Sequence, residues 1–405
     1  MSAEPAESRP LRWLVLAGVW FIYMCFGLIA TSIAPLVTEI EHDLDMSHAA
    51  MGSVMGAWQL VYIAAAVPCG MLLDRLGSRR ALVLGAACIA LSAWGRSLAD
   101  DYLTLLLAVM VFGIGGPIVS AGAPKVIATW FAGAGRGLAM GIYITGPAIG
   151  GVASLTLTHA WLMPRFDGDW RVIFDLWAAL ALFAGLVWWL IASLPGARVL
   201  TAGHRAGSDA ADGSVFRSLL AQPAVRVMLL MSVGVFMISH GFTNWLPELL
   251  VNGGMDAARA GYWAAVPTLV GIIGALSIPR LATPPRRFRI LMLVSAALLG
   301  ATVLLQFQAP GLLFSGLVLQ GIARSTLMTV MILTLVELPG VGDRHAGTAS
   351  GLFFSAAELG GMLGPLSLGV LYDLTHTFTA GLALFSCIGL GLLVGVRALR
   401  RMARG

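Results

Sequence analysis

Twelve long apolar runs, separated by short segments that hold most of the charge, account for almost the whole chain: residues 13–37, 51–73, 81–98, 102–129, 138–163, 172–194, 225–251, 260–281, 288–307, 312–338, 347–371 and 378–396. A helix crosses the hydrocarbon of a bilayer with about 20 mostly apolar residues, so each run is long enough to span. The pattern predicts an all-α integral membrane protein of twelve transmembrane helices. One polar stretch interrupts it. Residues 195–223 are rich in Ala, Gly and Ser and carry His204, Arg205, Asp209 and Asp212, a composition that cannot be buried in lipid. It reads as a flexible linker, which divides the chain into a six-helix half at 1–194 and a second at 224–405.

Polar positions also give an orientation. With an inside N-terminus, only Arg96, Arg165, Arg171 and Arg259 among the 25 basic residues fall outside, and Arg324 falls within a helix. This asymmetry places both termini and the linker in the cytoplasm of a multi-pass inner-membrane protein. The polar segment before residue 13 leads into a run too long for a signal-peptide core, so the first run is expected to remain as a span.

Composition narrows the function classes. With 58% hydrophobic and 11% charged residues, against about 25% charged in soluble domains, the chain has no room for a large extramembrane catalytic domain. The net charge of +5 is scattered between apolar runs, as at cytoplasmic membrane faces, and does not point to nucleic acid. Cys25, Cys69, Cys88 and Cys387 sit in apolar runs without C-x-x-C spacing, so no disulfide framework or metal site is readable, and no cofactor is expected. H-E-x-x-H and G-x-S-x-G motifs are absent, which argues against an intramembrane enzyme. A trace of duplication links the halves: Ala139-Met140-Gly141 and Gly150-Gly151 recur 210 residues later as Ala349-Ser350-Gly351 and Gly360-Gly361.

The most specific segment is Gly70-Met71-Leu72-Leu73-Asp74-Arg75-Leu76-Gly77-Ser78-Arg79-Arg80, between the second and third runs. Here Gly70 is expected to allow close helix contact, Gly77 to turn the chain, and the arginines to hold the loop at the membrane face. The segment resembles the loop signature of the major facilitator superfamily. A second match joins Trp130-Phe131 and Arg136-Gly137-Leu138-Ala139-Met140-Gly141 to Gly146-Pro147-Ala148-Ile149-Gly150-Gly151, which resembles a fifth-helix motif of antiporters in that superfamily. Gly146, Gly150 and Gly151 suit close helix packing, and Pro147 suits a bend. The resemblance implies that Asp74 and Arg75, with Gly77, Arg79 and Arg136, set a cytoplasmic gate. It also implies two helical repeats that rock around a solute held at the bilayer midplane. Trp245-Leu246-Pro247 and Ile278-Pro279-Arg280-Leu281-Ala282 look like the cyanate and nitroimidazole porter branch, whereas the loop at Pro284-Pro285-Arg286-Arg287 has lost the second copy of the loop signature.

Ionisable residues inside spans are expensive and so mark function. His240, Arg324 and Glu358 lie about halfway along runs seven, ten and eleven, all in the second half. His240, Asn244 and Glu248 form one stripe by i, i+4 spacing, as do Gln320 and Arg324. The first half offers neutral groups instead: Tyr23, Gln59, Tyr62, Ser120, Tyr143 and Thr145. The expected solute-binding set is Arg324, His240, Asn244, Gln320, Tyr23 and Tyr143, with Glu358 and His240 as proton-coupling residues. An ion pair between Arg324 and Glu358 is the structural alternative. Lys125, Arg96 and Asp175 are expected to be helix-end residues of little consequence. The permanent forked donor of Arg324 favours a small organic anion, carried by a monomeric secondary transporter in the bilayer and driven by an ion gradient, with protons the candidate ion, or by solute exchange. A proton-coupled drug-efflux antiporter and a transporter-like sensor are the other readings.

Overall fold

The computed structural model describes residues 8–197, 213–307, 309–338 and 341–402, and among these all regular structure is helical. The linker residues His204, Arg205, Asp209 and Asp212 lie outside the described residues. Eleven helices are long and apolar enough to cross a membrane. One of them, the 50-residue His48–Ser97, holds two of the expected spans, because Gly77 breaks it with φ 74° and ψ 157°. A residue with a Cβ does not readily take that conformation, so the glycine separates span two from span three. The twelve spans are Ser8–Thr31, the two parts of His48–Ser97, Tyr102–Trp130, Gly133–Tyr143 continued by Thr145–Leu157, then Trp170–Ile191, Pro223–Asn252, Ala257–Ser277, Arg287–Leu304, Pro310–Val336, Gly342–Thr375 and Thr379–Met402.

Local chemistry explains the breaks. Span five is interrupted at Ile144, where Pro147 has no N–H to donate to the carbonyl of Tyr143 four residues back. Span four begins at a cap in which the Asp101 carboxylate accepts the Thr104 N–H at 2.8 Å while the Thr104 hydroxyl reaches back to the Asp101 N–H. Those bonds hold the Asp101 carboxyl below the ordinary range for an aspartate.

By contact the chain forms two units, Met1–Met46 with Ala57–Gly207 and Ser47–Gly56 with Ser208–Gly405. Within the first unit, spans one and five cross closely. A Cβ on Gly150 would run into the Met24 carbonyl, one on Gly27 into Pro147, and one on Gly146 would lie 3.1 Å from the Trp20 carbonyl oxygen. Within the second unit, spans seven and eleven do the same: Gly360 faces the Val233 carbonyl and Gly364 the Met237 carbonyl. Gly360 stands 210 positions after Gly150, so the sequence repeat coincides with a repeated crossing.

The start of span two belongs by its contacts to the second unit. Asp373, near the end of span eleven, accepts the backbone N–H of His48 at 3.1 Å and of Ala49 at 2.8 Å. The carboxylate thus satisfies donors that a helix N-terminus leaves open. The His48 ring stacks on Tyr372 at 3.9 Å, and Gly52 and Gly56 back onto Pro365 and Met362.

Candidate functional site

The second unit gathers the ionisable residues of its interior on spans seven, ten and eleven. Arg324, only partly buried, donates through Nη1 to the Thr243 hydroxyl at 2.5 Å. The expected structural alternative is not realised, because no carboxylate, Glu358 included, lies within 4.0 Å of Arg324 among the described residues. Glu358 is 9% exposed and its Oε2 has no hydrogen-bond partner among the described protein atoms. Gln320, one turn before Arg324, is buried with its Oε1 unpartnered as well. His240 lies 5.5 Å from the Phe236 ring. Asn244 is turned onto its own helix, where its Nδ2 donates to the His240 carbonyl at 2.8 Å. Thr243, rather than Asn244, is therefore the span-seven group that meets Arg324. A threonine in an apolar run carries no distinctive signal in the sequence.

The first unit offers neutral and aromatic groups instead. Tyr23 and Tyr143 stack at 5.4 Å, Tyr23 also meets Phe26, and the Tyr62 and Ser120 hydroxyls share a hydrogen bond of 2.7 Å. Thr145 accepts from the Trp20 indole at 3.0 Å. One cation departs from this pattern. Arg96, expected to be inconsequential, is 1% exposed and donates to the Ile29 carbonyl at 2.9 Å, to Ser32 Oγ at 3.0 Å and to Ser92 Oγ at 3.3 Å. Ile29 lies in the last turn of span one, whose carbonyls lack helical partners and carry partial negative charge. Arg96 is thus a bolt between spans one and three.

In the loop between spans two and three, Asp74 pairs with Lys125 of span four at 2.5 Å, so Lys125 is a specific partner rather than a side chain reaching for water. Arg79 lies 4.2 Å over the Trp189 ring and donates to Ser193 Oγ at 2.6 Å, which ties the loop to the end of span six. Arg136 caps the end of span four by donating to the Phe131 and Ala128 carbonyls. Gly70 does not make the close contact expected of it, since a Cβ there would meet nothing within 4 Å. The second unit, whose loop has lost the signature, nevertheless has an ion pair at the equivalent place. Arg287 at the start of span nine binds Glu337 at the end of span ten through both guanidinium nitrogens, one contact measuring 2.9 Å. The loop side is acidic in the first unit and basic in the second.

A family model described as Major Facilitator Superfamily matches residues 19–365. The chain belongs to that superfamily. Three similar proteins agree with this. An uncharacterized transporter of Bacillus subtilis (strain 168) is 26% identical over 94% of this chain and 92% of its own length. The probable L-galactonate transporter of Escherichia coli (strain K12) is 25% identical over 86% and 80%, and the 3-(3-hydroxy-phenyl)propionate transporter of the same strain is 25% identical over 100% and 98%. Among solved structures, a mutant of the nucleoside transporter NupG matches with a TM-score of 0.80 at 12% identity, covering 96% of this chain and 99% of that one, which shows the fold. This member of the superfamily is a secondary transporter of a small solute and not an enzyme.

Proposed function

We propose that the transporter carries a small organic acid, held through its carboxylate by Arg324. The observation that carries this reading is a permanent cation inside the second unit that binds a hydroxyl and, among the described residues, no carboxylate, leaving its fork for an anionic ligand. Relatives named for galactonate and for hydroxyphenylpropionate support the same class; neither a drug-efflux antiporter nor a sensor is favoured. Gln320 and His240 are assigned to the solute with Arg324, and Tyr23 and Tyr143 of the first half to its recognition. Asn244 is assigned to it through the turn that carries Thr243. Glu358, a buried carboxyl without an ionic partner among the described residues, is assigned to proton coupling with His240. Asp74, Arg75, Gly77, Arg79 and Arg136 are assigned to the gate of a monomeric inner-membrane protein with both termini in the cytoplasm, and Trp245-Leu246-Pro247 supports a place near the cyanate and nitroimidazole porters.

Two measurements test it. Uptake of labelled acids into proteoliposomes should be competed by galactonate or 3-(3-hydroxyphenyl)propionate and not by the matching amides; equal competition by the neutral amides would remove Arg324 as the anchor. Glu358→Gln should abolish accumulation driven by a pH gradient and leave exchange of solute for solute intact. Unchanged accumulation in that variant would exclude Glu358 as the proton site.

A further inference from the structure

Spans three and six leave a groove of about 690 Å³ in the first unit, lined by Ala87, Ala90, Leu91, Trp94, Asp175 and Leu182 among others. Four alanines shape it, two from each helix, where Ala178 and Ala179 complete the span-six wall. The groove is open to the outside of the helices, as Leu91 and Trp94 are each 51% exposed and Leu182 is 55% exposed. It closes inward where a Cβ on Gly185 would stand 3.1 Å from that of Ala86. From Asp175 to Leu182 the wall runs seven residues, about 10 Å at the helical rise. The apolar part therefore has the form of a short channel for a hydrocarbon chain.

Its single charge lies at one end. Asp175 is exposed and accepts the Ser97 hydroxyl at 2.5 Å, while no cation stands within 4.0 Å of it among the described residues. Arg171, one turn earlier on span six, is already engaged by Asp43, by the Ala99 carbonyl and, at 3.8 Å, by Asp100. Arg96 is turned away into the unit's interior against Ile29 and Phe112. A carboxylate on the apolar flank of a membrane protein is costly without a counter-charge, and the described residues do not provide one.

We propose that this groove binds an aminophospholipid, with one acyl chain along the alanines and a primary ammonium headgroup on Asp175. The headgroup chemistry follows from the acceptor. An ethanolamine ammonium has N–H donors for a charge-assisted hydrogen bond, a choline has none, and an anionic glycerol phosphate is repelled. Trp94 at the rim supplies the amphipathic ring expected at headgroup depth.

Native mass spectrometry of the full chain in detergent, titrated with phosphatidylethanolamine, phosphatidylcholine and phosphatidylglycerol of identical acyl chains, tests the site. Phosphatidylethanolamine should bind about tenfold more tightly than the other two, as one hydrogen bond to a charged group provides. Asp175→Asn should erase that preference. Ala179→Phe, a change at an exposed wall position that keeps the carboxylate, should weaken all three lipids and so serves if Asp175→Asn does not fold. Equal binding of the three lipids by the unaltered protein overturns the proposal, as does a preference that survives Asp175→Asn or undiminished binding in Ala179→Phe. A lipid-free dimer as the dominant mass would also overturn it, since a second copy would then be what covers the groove.

Discussion

The crossing of spans one and five and the crossing of spans seven and eleven are built alike and furnished differently. In each, a glycine 210 residues from its counterpart lets one helix backbone rest on another. At the first crossing the polar groups nearby are Tyr23 and Tyr143, stacked and neutral. Around the second lie Arg324 on a hydroxyl and Glu358 with an unpartnered oxygen. Duplication has preserved the packing, which tolerates little change, while the chemistry has diverged. Two arginines within the helical units sharpen the contrast. Arg96 has carbonyl and hydroxyl acceptors arranged about it within the protein, whereas Arg324 keeps one hydroxyl and a fork without an acid.

If the crossings are truly equivalent, Gly150→Leu and Gly360→Leu should fail together. Each side chain would collide with backbone, which cannot move aside as a flexible side chain can, so the loss should be about 3 kcal/mol or more. Monodisperse protein recovered after size-exclusion chromatography is the measure. A Gly360→Leu variant with normal yield beside a failed Gly150→Leu would break the equivalence.

The arginines should separate in the opposite sense. Arg96→Gln should lower thermal stability by about 3 kcal/mol, since it removes charge-assisted bonds to buried carbonyl and hydroxyl groups, and should leave solute affinity unchanged. Arg324→Gln should leave the protein folded, because removing a cation that has no acid partner relieves a desolvation cost. It should weaken the solute by about 10- to 100-fold. Arg324→Lys should fall between, because an ammonium cannot form a two-pronged bond to a carboxylate. Melting curves and calorimetric titration on the same preparations decide it. An Arg324→Gln protein that binds normally but melts early would make Arg324 a second bolt.

Twelve spans were legible from apolar run length alone, because lipid imposes a single length scale on every crossing. The break at Gly77 and the bend ahead of Pro147 were legible too, since both follow from backbone geometry that the residue type dictates. What escaped was side-chain partnership. Arg96 reads as a helix-end residue because its acceptors, the Ile29 carbonyl and the Ser32 hydroxyl, lie 67 and 64 positions away in the chain. Lys125 and Asp74 are 51 positions apart, and nothing in either local sequence announces the other. Gly70 is the converse case: a motif glycine suggests a close neighbour, yet the helix face it occupies is open. At the candidate site the ionisable residues were found by their cost in lipid, but Thr243 was not, as a threonine can satisfy its hydroxyl within its own helix and so carries no such signal.

The smallest predicted effects concern the two loop ion pairs, which repeat the comparison at the membrane face with the charges exchanged. Lys125 and Asp74 have side chains 29% and 43% exposed, so Asp74→Asn should cost about 1 kcal/mol or less in stability, as exposed pairs do. In the second pair Arg287 is 8% exposed, and Glu337→Gln would leave that guanidinium facing a neutral amide, a loss of about 2 kcal/mol. Stability should therefore rank the second pair above the first. Transport should rank them the other way if Asp74 is the gate: a residue that biases one conformational state over another changes the rate of cycling without touching the solute. Asp74→Asn should then bind solute normally and transport it several-fold more slowly, while Glu337→Gln, once folded, should transport at the rate its folded fraction allows. Vesicle flux divided by binding-competent protein separates the two. Normal flux in Asp74→Asn would reduce both pairs to fasteners of the same kind, differing only in which side of the bond carries the positive charge.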